Sequence, residues 1–295
     1  MNTYVQKKIA NTKLTLSEMS GGYQRMVTSM KKLGFSATLK LIWDDLFAHR
    51  SLGQWVYLLI LGSFPLWLEL IYEHRIVDWT GMICSLTGII CVIFVSEGRA
   101  SNYLFGLINS VIYLILALQK GFYGEVLTTL YFTIMQPIGL LVWIYQGQFK
   151  KEKQEFVARK LDAKGWTKYL SLSVLWWLVF GLIYQSVGAN RPYRDSITDA
   201  TNGVGQILMT AVYREQWIFW AATNIFSIYL WWGESLQIQG KYLIYLINSL
   251  VGWYQWNKAA KKHSPINGKE IGCDNVSLYL AIPFVLLWTY QYLYL

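Results

Sequence analysis

Asp195, Asp199, Asn202 and Gln206 recur at i, i+4, i+7 and i+11, a spacing that puts four side chains on one face of a helix. Asn102, Gly106, Asn109 and Tyr113 repeat it, as do Glu125, Thr129, Phe132 and Gln136. Trp217, Trp220 and Asn224 make a shorter stripe, and Tyr245, Asn248, Gly252 and Trp256 another. Each stripe carries an amide, most with an aromatic beside it. Amides donate and accept, which suits sugar hydroxyls and a carboxamide. Indole and phenol faces suit a flat ring, with stacking worth about 1–3 kcal/mol per base in soluble systems. The candidate binding set is Asn109, Gln136, Gln206, Asn224, Trp217, Trp220, Asn202, Trp143 and Asn248. A plainer role for any one amide is a bond between helices, about 0.6–2 kcal/mol each. Five converging amide-bearing faces argue for a cavity.

Few full charges lie in these stripes, so a strongly anionic ligand such as a nucleotide is not expected. Asp195 and Glu125 fall near helix ends. Asp199 lies deeper and would serve as a proton site or answer a cationic pyridinium ring. No P-loop, His-Glu-x-x-His or Gly-x-Ser-x-Gly string occurs, which lowers the case for an enzyme. Cys84 and Cys91 sit two turns apart on one apolar stretch, too far for a disulfide, and Cys273 is remote. His49, His74 and His263 are scattered, so neither a metal nor another cofactor is expected.

The elements that must position these stripes are membrane helices. Of the residues, 54% are hydrophobic and 15% charged, where a soluble domain carries about 25% charged. Fifteen Trp and 21 Tyr fit membrane interfaces or a stacked ligand. The net charge of +9 does not indicate nucleic acid, because the cations sit between long apolar runs. Nine segments are apolar and long enough to span: 55–72, 79–96, 103–118, 126–145, 169–188, 197–213, 217–235, 241–256 and 277–293. The sixth carries Asp199, Asn202 and Gln206 and is the weakest by hydropathy. Of the 26 Lys and Arg, all but Arg75, Lys120, Arg191, Arg194 and Lys241 then fall on the side of the N-terminus. Omitting the first span divides them equally. The positive-inside rule therefore selects nine spans, with the N-terminus cytoplasmic and the C-terminus outside. The first 30 residues are polar and Lys-rich, with no signal-peptide core. Val27, Met30, Gly34, Ala37 and Leu41 share helical spacing and suit either a helix on the membrane surface or a solvated arm.

Two stretches repeat. Phe105-x-x-x-Asn109 returns as Trp220-x-x-x-Asn224 about 115 residues later. Leu130-Tyr131-Phe132 with Gly139-x-x-x-Trp143 returns as Leu243-Ile244-Tyr245 with Gly252-x-x-x-Trp256. A three-helix unit, spans two to four, is thus duplicated in spans six to eight, with span five between. One intervening helix gives the two units the same orientation, a transporter plan with its site at the repeat interface.

Ser101-Asn102-Tyr103-Leu104-Phe105-Gly106-Leu107-Ile108-Asn109 resembles the signature of the PnuC-type nicotinamide riboside transporters. So do Asp195-Ser196, Gln206, Trp217-Ile218-Phe219-Trp220 and Asn224, with eleven residues from Asp195 to Gln206 and eleven from Gln206 to Trp217. The likeness runs from about Trp79 to Asn257. It implies an all-α membrane protein with a SWEET-like core, two parallel three-helix bundles joined by a linker helix, plus one extra helix at each end. The parts would be an arm (1–54), an extra helix (55–78), a core (79–257; repeats about 79–146 and 195–257, linker 169–188), and a cytoplasmic loop with a final helix (258–295). It implies facilitated diffusion of a vitamin nucleoside across a bacterial inner membrane, with a cytoplasmic kinase trapping the product by phosphorylation. The partners are then the small molecule and the bilayer, not nucleic acid, and a homo-oligomer is compatible. Met135-Gln136-Pro137-Ile138-Gly139-Leu140 departs from the family, where Asn and more aromatics are expected. That departure keeps thiamine or riboflavin carriage as alternatives. An embedded enzyme or complex subunit is the alternative of another class.

Overall fold

The computed structural model describes residues 35–47, 50–64, 66–67, 79–119, 123–145, 158–186, 188, 192–230 and 236–262. The helices are α1 (Phe35–Phe47), α2 (Leu52–Gly62), α3 (Trp79–Ser96), α4 (Asn102–Gln119) and α5 (Tyr123–Tyr145). They continue as α6 (Ala163–Ser186), α7 (Pro192–Thr210), α8 (Gln216–Leu230) and α9 (Leu236–Lys262). Spans two to eight of the sequence reading each fall on one of α3 to α9. The ninth span, Cys273, the three His, and most of the N-terminal arm with Val27, Met30 and Gly34 lie outside the described residues.

The bundle is apolar on its outside. Leu170, Val174, Leu175, Leu178 and Leu182 form an exposed stripe along α6, and Leu243, Ile247, Leu250 and Tyr254 form one along α9. Asn102, Ser196, Thr210, Gln216 and Asn248 are meanwhile fully buried. Water would penalise that inversion, whereas hydrocarbon selects it. By length and apolarity alone, Trp79–Ser96 and Ala163–Ser186 can cross a bilayer. Leu52–Gly62 and Asn102–Leu116 are apolar but shorter.

Helices α3, α4 and α5 pack in chain order, and so do α7, α8 and α9. Helix α5 lies on α7 and α9 lies on α3, so the two triplets meet along two seams. Helix α6 packs on α7, and α2 on α3. Close approach depends on glycines facing aromatic rings. Gly139 lies under Tyr103 and Gly252 under Trp217, where a Cβ would overlap the ring in each case. Gly203 takes Trp176 in the same way.

The turns from α3 to α4 and from α7 to α8 share one backbone. Arg99 N–H reaches the Phe94 carbonyl (2.9 Å) and Tyr213 N–H the Leu208 carbonyl (2.9 Å). Gly98 (φ 71°) and Val212 (φ 61°) occupy the same place in them. The left-handed region costs an L residue about 1–2 kcal/mol, so Gly98→Ala should lower stability by that amount in a thermal melt in detergent. Val212 is fully buried in the aromatic core and is held against that cost by its packing and its carbonyl, which accepts Arg159 N–H (2.9 Å).

A neighbouring segment straps each turn. On the second, Arg159 pairs with Tyr213 as an isolated bridge, and Leu161 N–H reaches Glu215 Oε2 (3.1 Å). On the first, Ser101 N–H reaches Asp45 Oδ2 (2.8 Å), and Arg99 donates to the Asp45 carbonyl. Burial raises the Asp45 carboxyl above its ordinary range, against the pull of Ser101 and Arg99. Helix α1 is therefore docked through Asp45, while Leu39, Trp43 and Phe47 face outward.

Candidate functional site

Gln136 and Gln206 carry the clearest ligand signal, one in each triplet. Gln136, on α5, is 6% exposed and lies against Gly106 of α4, where a Cβ would overlap its amide. Its Oε1 has no hydrogen-bond partner among the described residues. Gln206, on α7, is 2% exposed, and its Nε2 is likewise unpartnered. Asn102 Oδ1 is unpartnered too, but Asn102 opens α4 and its Nδ2 caps the turn on the Arg99 carbonyl (2.6 Å). Leaving a buried polar group unpaired costs about 1–3 kcal/mol, so the two glutamines within their helices point to groups that a ligand satisfies.

The aromatic frame follows from the same glycine packing. The Trp220 ring lies on Gly205, the neighbour of Gln206, with a Cβ there 3.2 Å from the ring. Trp220 Nε1 donates to Gln216 Oε1 (3.4 Å). Trp217 is buried beside Trp256 (centroids 6.0 Å), and its Nε1 has no partner among the described residues. Trp220, Trp217 and Trp143 thus belong to one cluster.

Asn109 and Asn224 sit on a polar belt that crosses between triplets. Asn109 Nδ2 donates to the Cys84 carbonyl (2.5 Å). Gly88 of α3 abuts both the Asn109 amide and the Tyr245 hydroxyl, which brings α4 and α9 together there. Asn224 Nδ2 donates to Ser249 Oγ (3.1 Å), and Ser249 donates on to the Tyr245 carbonyl (2.8 Å). Asn202 is half-buried on the Gln206 face of α7. Asp199 accepts from Tyr184 OH (2.6 Å), which fixes the carboxylate toward α6.

Two predicted residues are spent on the main chain. Trp143 is fully buried and donates to the Met209 carbonyl (3.0 Å). Asn248 Nδ2 donates to the Val92 carbonyl (3.0 Å), and its Oδ1 accepts from Tyr57 OH (3.1 Å). Both bond across a seam. Sequence reasoning did not select Ser249 or Gln216 for the site, although each lies one turn from a candidate aromatic, Tyr245 or Trp220. No grouping of His, Cys, Asp and Glu among the described residues could hold a metal ion.

Comparison with known proteins gives a consistent result. A family described as nicotinamide mononucleotide transporter matches residues 78–258. A nicotinamide riboside transporter PnuC of Haemophilus influenzae is 36% identical over 209 residues, covering 70% of this chain and 90% of its own. One of Neisseria mucosa is 35% identical over 253 residues, covering 82% and 95%. A crystal structure of the vitamin B3 transporter PnuC superposes with a TM-score of 0.63 at 30% identity, over 78% of this chain and all of that one.

Proposed function

This chain belongs to the nicotinamide mononucleotide transporter family, and on that premise we propose that it carries nicotinamide riboside, or a vitamin nucleoside like it, across the bacterial inner membrane. The observation that carries the substrate assignment is the pair of buried amides, Gln136 and Gln206, each with an atom the protein leaves unpaired. A carboxamide and ribose hydroxyls supply the missing partners, and Trp220 and Trp217 frame the ring. Charge favours the riboside over the mononucleotide. The ionisable groups on the α7 stripe are both acids, Asp195 and Asp199, so the stripe offers a phosphate no cation to pair with.

Asn109, Asn202 and Asn224 complete the proposed pocket. We read the two triplets as parallel repeats in a SWEET-like bundle, with α6 as the linker of a core spanning 79–257. The arm at 1–54 and the helices at 55–78 and in 258–295 are its additions. The N-terminus is read as cytoplasmic, which the basic loops support. Transport is facilitated diffusion, completed by a cytoplasmic kinase that charges the product. Self-association is compatible with the exposed apolar faces.

Purified protein should melt higher with nicotinamide riboside, by about 2.7 kcal/mol of apparent stability at a hundredfold excess over Kd. Nicotinamide mononucleotide, thiamine and riboflavin should stabilise it less. A larger shift with thiamine or riboflavin would overturn the substrate assignment. Uptake into liposomes should saturate without ATP and without a pH gradient. Strict dependence on a pH gradient would instead make Asp199 a coupling residue.

A further inference from the structure

The two seams are closed by the same device used twice. Trp143, on α5, donates its indole N–H to the Met209 carbonyl in the last turn of α7 (3.0 Å). Trp256, on α9, donates its own to the Val95 carbonyl in the last turn of α3 (2.9 Å). Each carbonyl also accepts from its turn, from Val212 N–H and Gly98 N–H respectively (both 3.0 Å). Each indole is met edge-on by the ring at the start of its own unit's middle helix: Tyr103 on Trp143 (5.1 Å) and Trp217 on Trp256 (6.0 Å). Trp143 and Trp256 then meet each other (5.7 Å). Both are fully buried, so neither offers a ring face to a ligand.

This plug lies at the end of the bundle that carries Arg99, Arg159 and Arg214, the end the charge distribution assigns to the cytoplasm. Around it are polar atoms that the closed state leaves unpaired among the described residues: Trp217 Nε1, Gln216 Nε2 and Asn102 Oδ1. All three residues are 3% exposed or less. Separating the seams would admit water to these atoms and offset part of the cost of breaking the indole bonds. That compensation narrows the free-energy gap between a closed and an open arrangement, as a gate requires.

We propose that Trp143 and Trp256 are the inner gate of this carrier: paired, pseudo-equivalent indole–carbonyl bonds, one on each seam, that must release together for substrate to leave toward the cytoplasm. The proposal rests on the transport reading for its purpose, but its test needs no substrate. Neutral hydrogen bonds are individually modest, about fivefold each in an equilibrium, so the gate is held and still openable. Trp→Phe keeps an aromatic ring in the plug and removes only the donor and part of the ring.

Cys91 reports on the gate, because it packs against this cluster one turn before Val95. With Cys84→Ser and Cys273→Ser in the background, a membrane-impermeant thiol reagent is applied to inside-out vesicles. Labelling of Cys91 should be slow in that background, about fivefold faster in Trp143→Phe and in Trp256→Phe, and about 25-fold faster in the double variant. Right-side-out vesicles should show no such acceleration. Unchanged labelling in folded single variants would overturn the proposal. So would equal acceleration from both sides, which reports general loosening, and so would a response to only one of the two tryptophans. If the double variant does not fold, the two single variants still decide. Failure of nicotinamide riboside to bind would overturn the substrate assignment and leave the labelling result standing.

Discussion

Gln206→Ala and Gln136→Ala should each weaken nicotinamide riboside binding by about 5- to 150-fold, measured by titration on folded protein in detergent. Each amide has an atom without a partner among the described residues, so each gains a hydrogen bond from the ligand without giving one up. Removing it leaves a ligand group unpaired in a dry site, a loss of about 1–3 kcal/mol. Asn224→Ala should fall at the lower end of that range. Its amide already holds Ser249 (3.1 Å), so binding exchanges one bond for another. Trp220→Ala should cost at least as much as Gln206→Ala through lost stacking, and Trp220→Phe less, because a smaller ring face remains. If Gln206, Gln136 and Trp220 variants all fold and bind with unchanged affinity, the ligand lies elsewhere. If they lose thermal stability while the surviving protein binds normally, the same residues are packing elements and nothing more.

Helical periodicity located the inward faces and could not divide them. A position that faces a ligand and one that faces the other triplet are both polar, both inward and both on the same period. Trp143 and Asn248 therefore read as binding residues beside Gln136 and Asn224, although the structure spends their donors on the Met209 and Val92 carbonyls. The spacing shared by Gly139-x-x-x-Trp143 and Gly252-x-x-x-Trp256 was legible, because a glycine under an aromatic is a packing requirement that leaves a spacing in the sequence. The shared turn was not. Its left-handed position is Gly in one copy and the β-branched Val212 in the other, where no propensity argument would place it. Helix α2 begins at Leu52, earlier than its hydropathy suggested, because Ser51 and Gln54 form a reciprocal capping box. That pair was readable in principle, yet a search for apolar runs passes over polar caps. The docking of Asp45 and Arg50 on the turn at 97–101 links residues about 50 positions apart, and neither charge pattern nor period encodes it.

Glu97→Ala should be the most destabilising charge substitution in the described part of the molecule, by about 3–5 kcal/mol. The Glu97 side chain is 2% exposed and accepts from two arginines: Arg50 through Nη2 (2.7 Å) and Nε (3.1 Å), and Arg99 through Nε (2.7 Å). Arg50 is itself buried and stacked on Phe94 (4.3 Å) and Trp55 (5.0 Å). Deleting the carboxylate leaves two cations close together, with little solvent around the Arg50 side chain. Arg50→Ala should cost less, since Glu97 keeps Arg99. The order Glu97→Ala worse than Arg50→Ala, read from thermal melts in detergent, tests whether the carboxylate is shared. The reverse order would mean that Arg50 acts through its ring contacts alone. Limited proteolysis adds a local readout, because the ion pair joins the segment after α1 to the α3–α4 turn: cleavage within α1 should accelerate in both variants. The equivalent turn in the second triplet has Ala211 where the first has Glu97, and instead uses Glu215 to accept Arg214 Nε (2.9 Å) and Leu161 N–H. The backbone of the two turns is the same while the acid that anchors each strap differs. Glu215→Ala should therefore loosen the segment at 158–162 and leave the rate of cleavage within α1 unchanged.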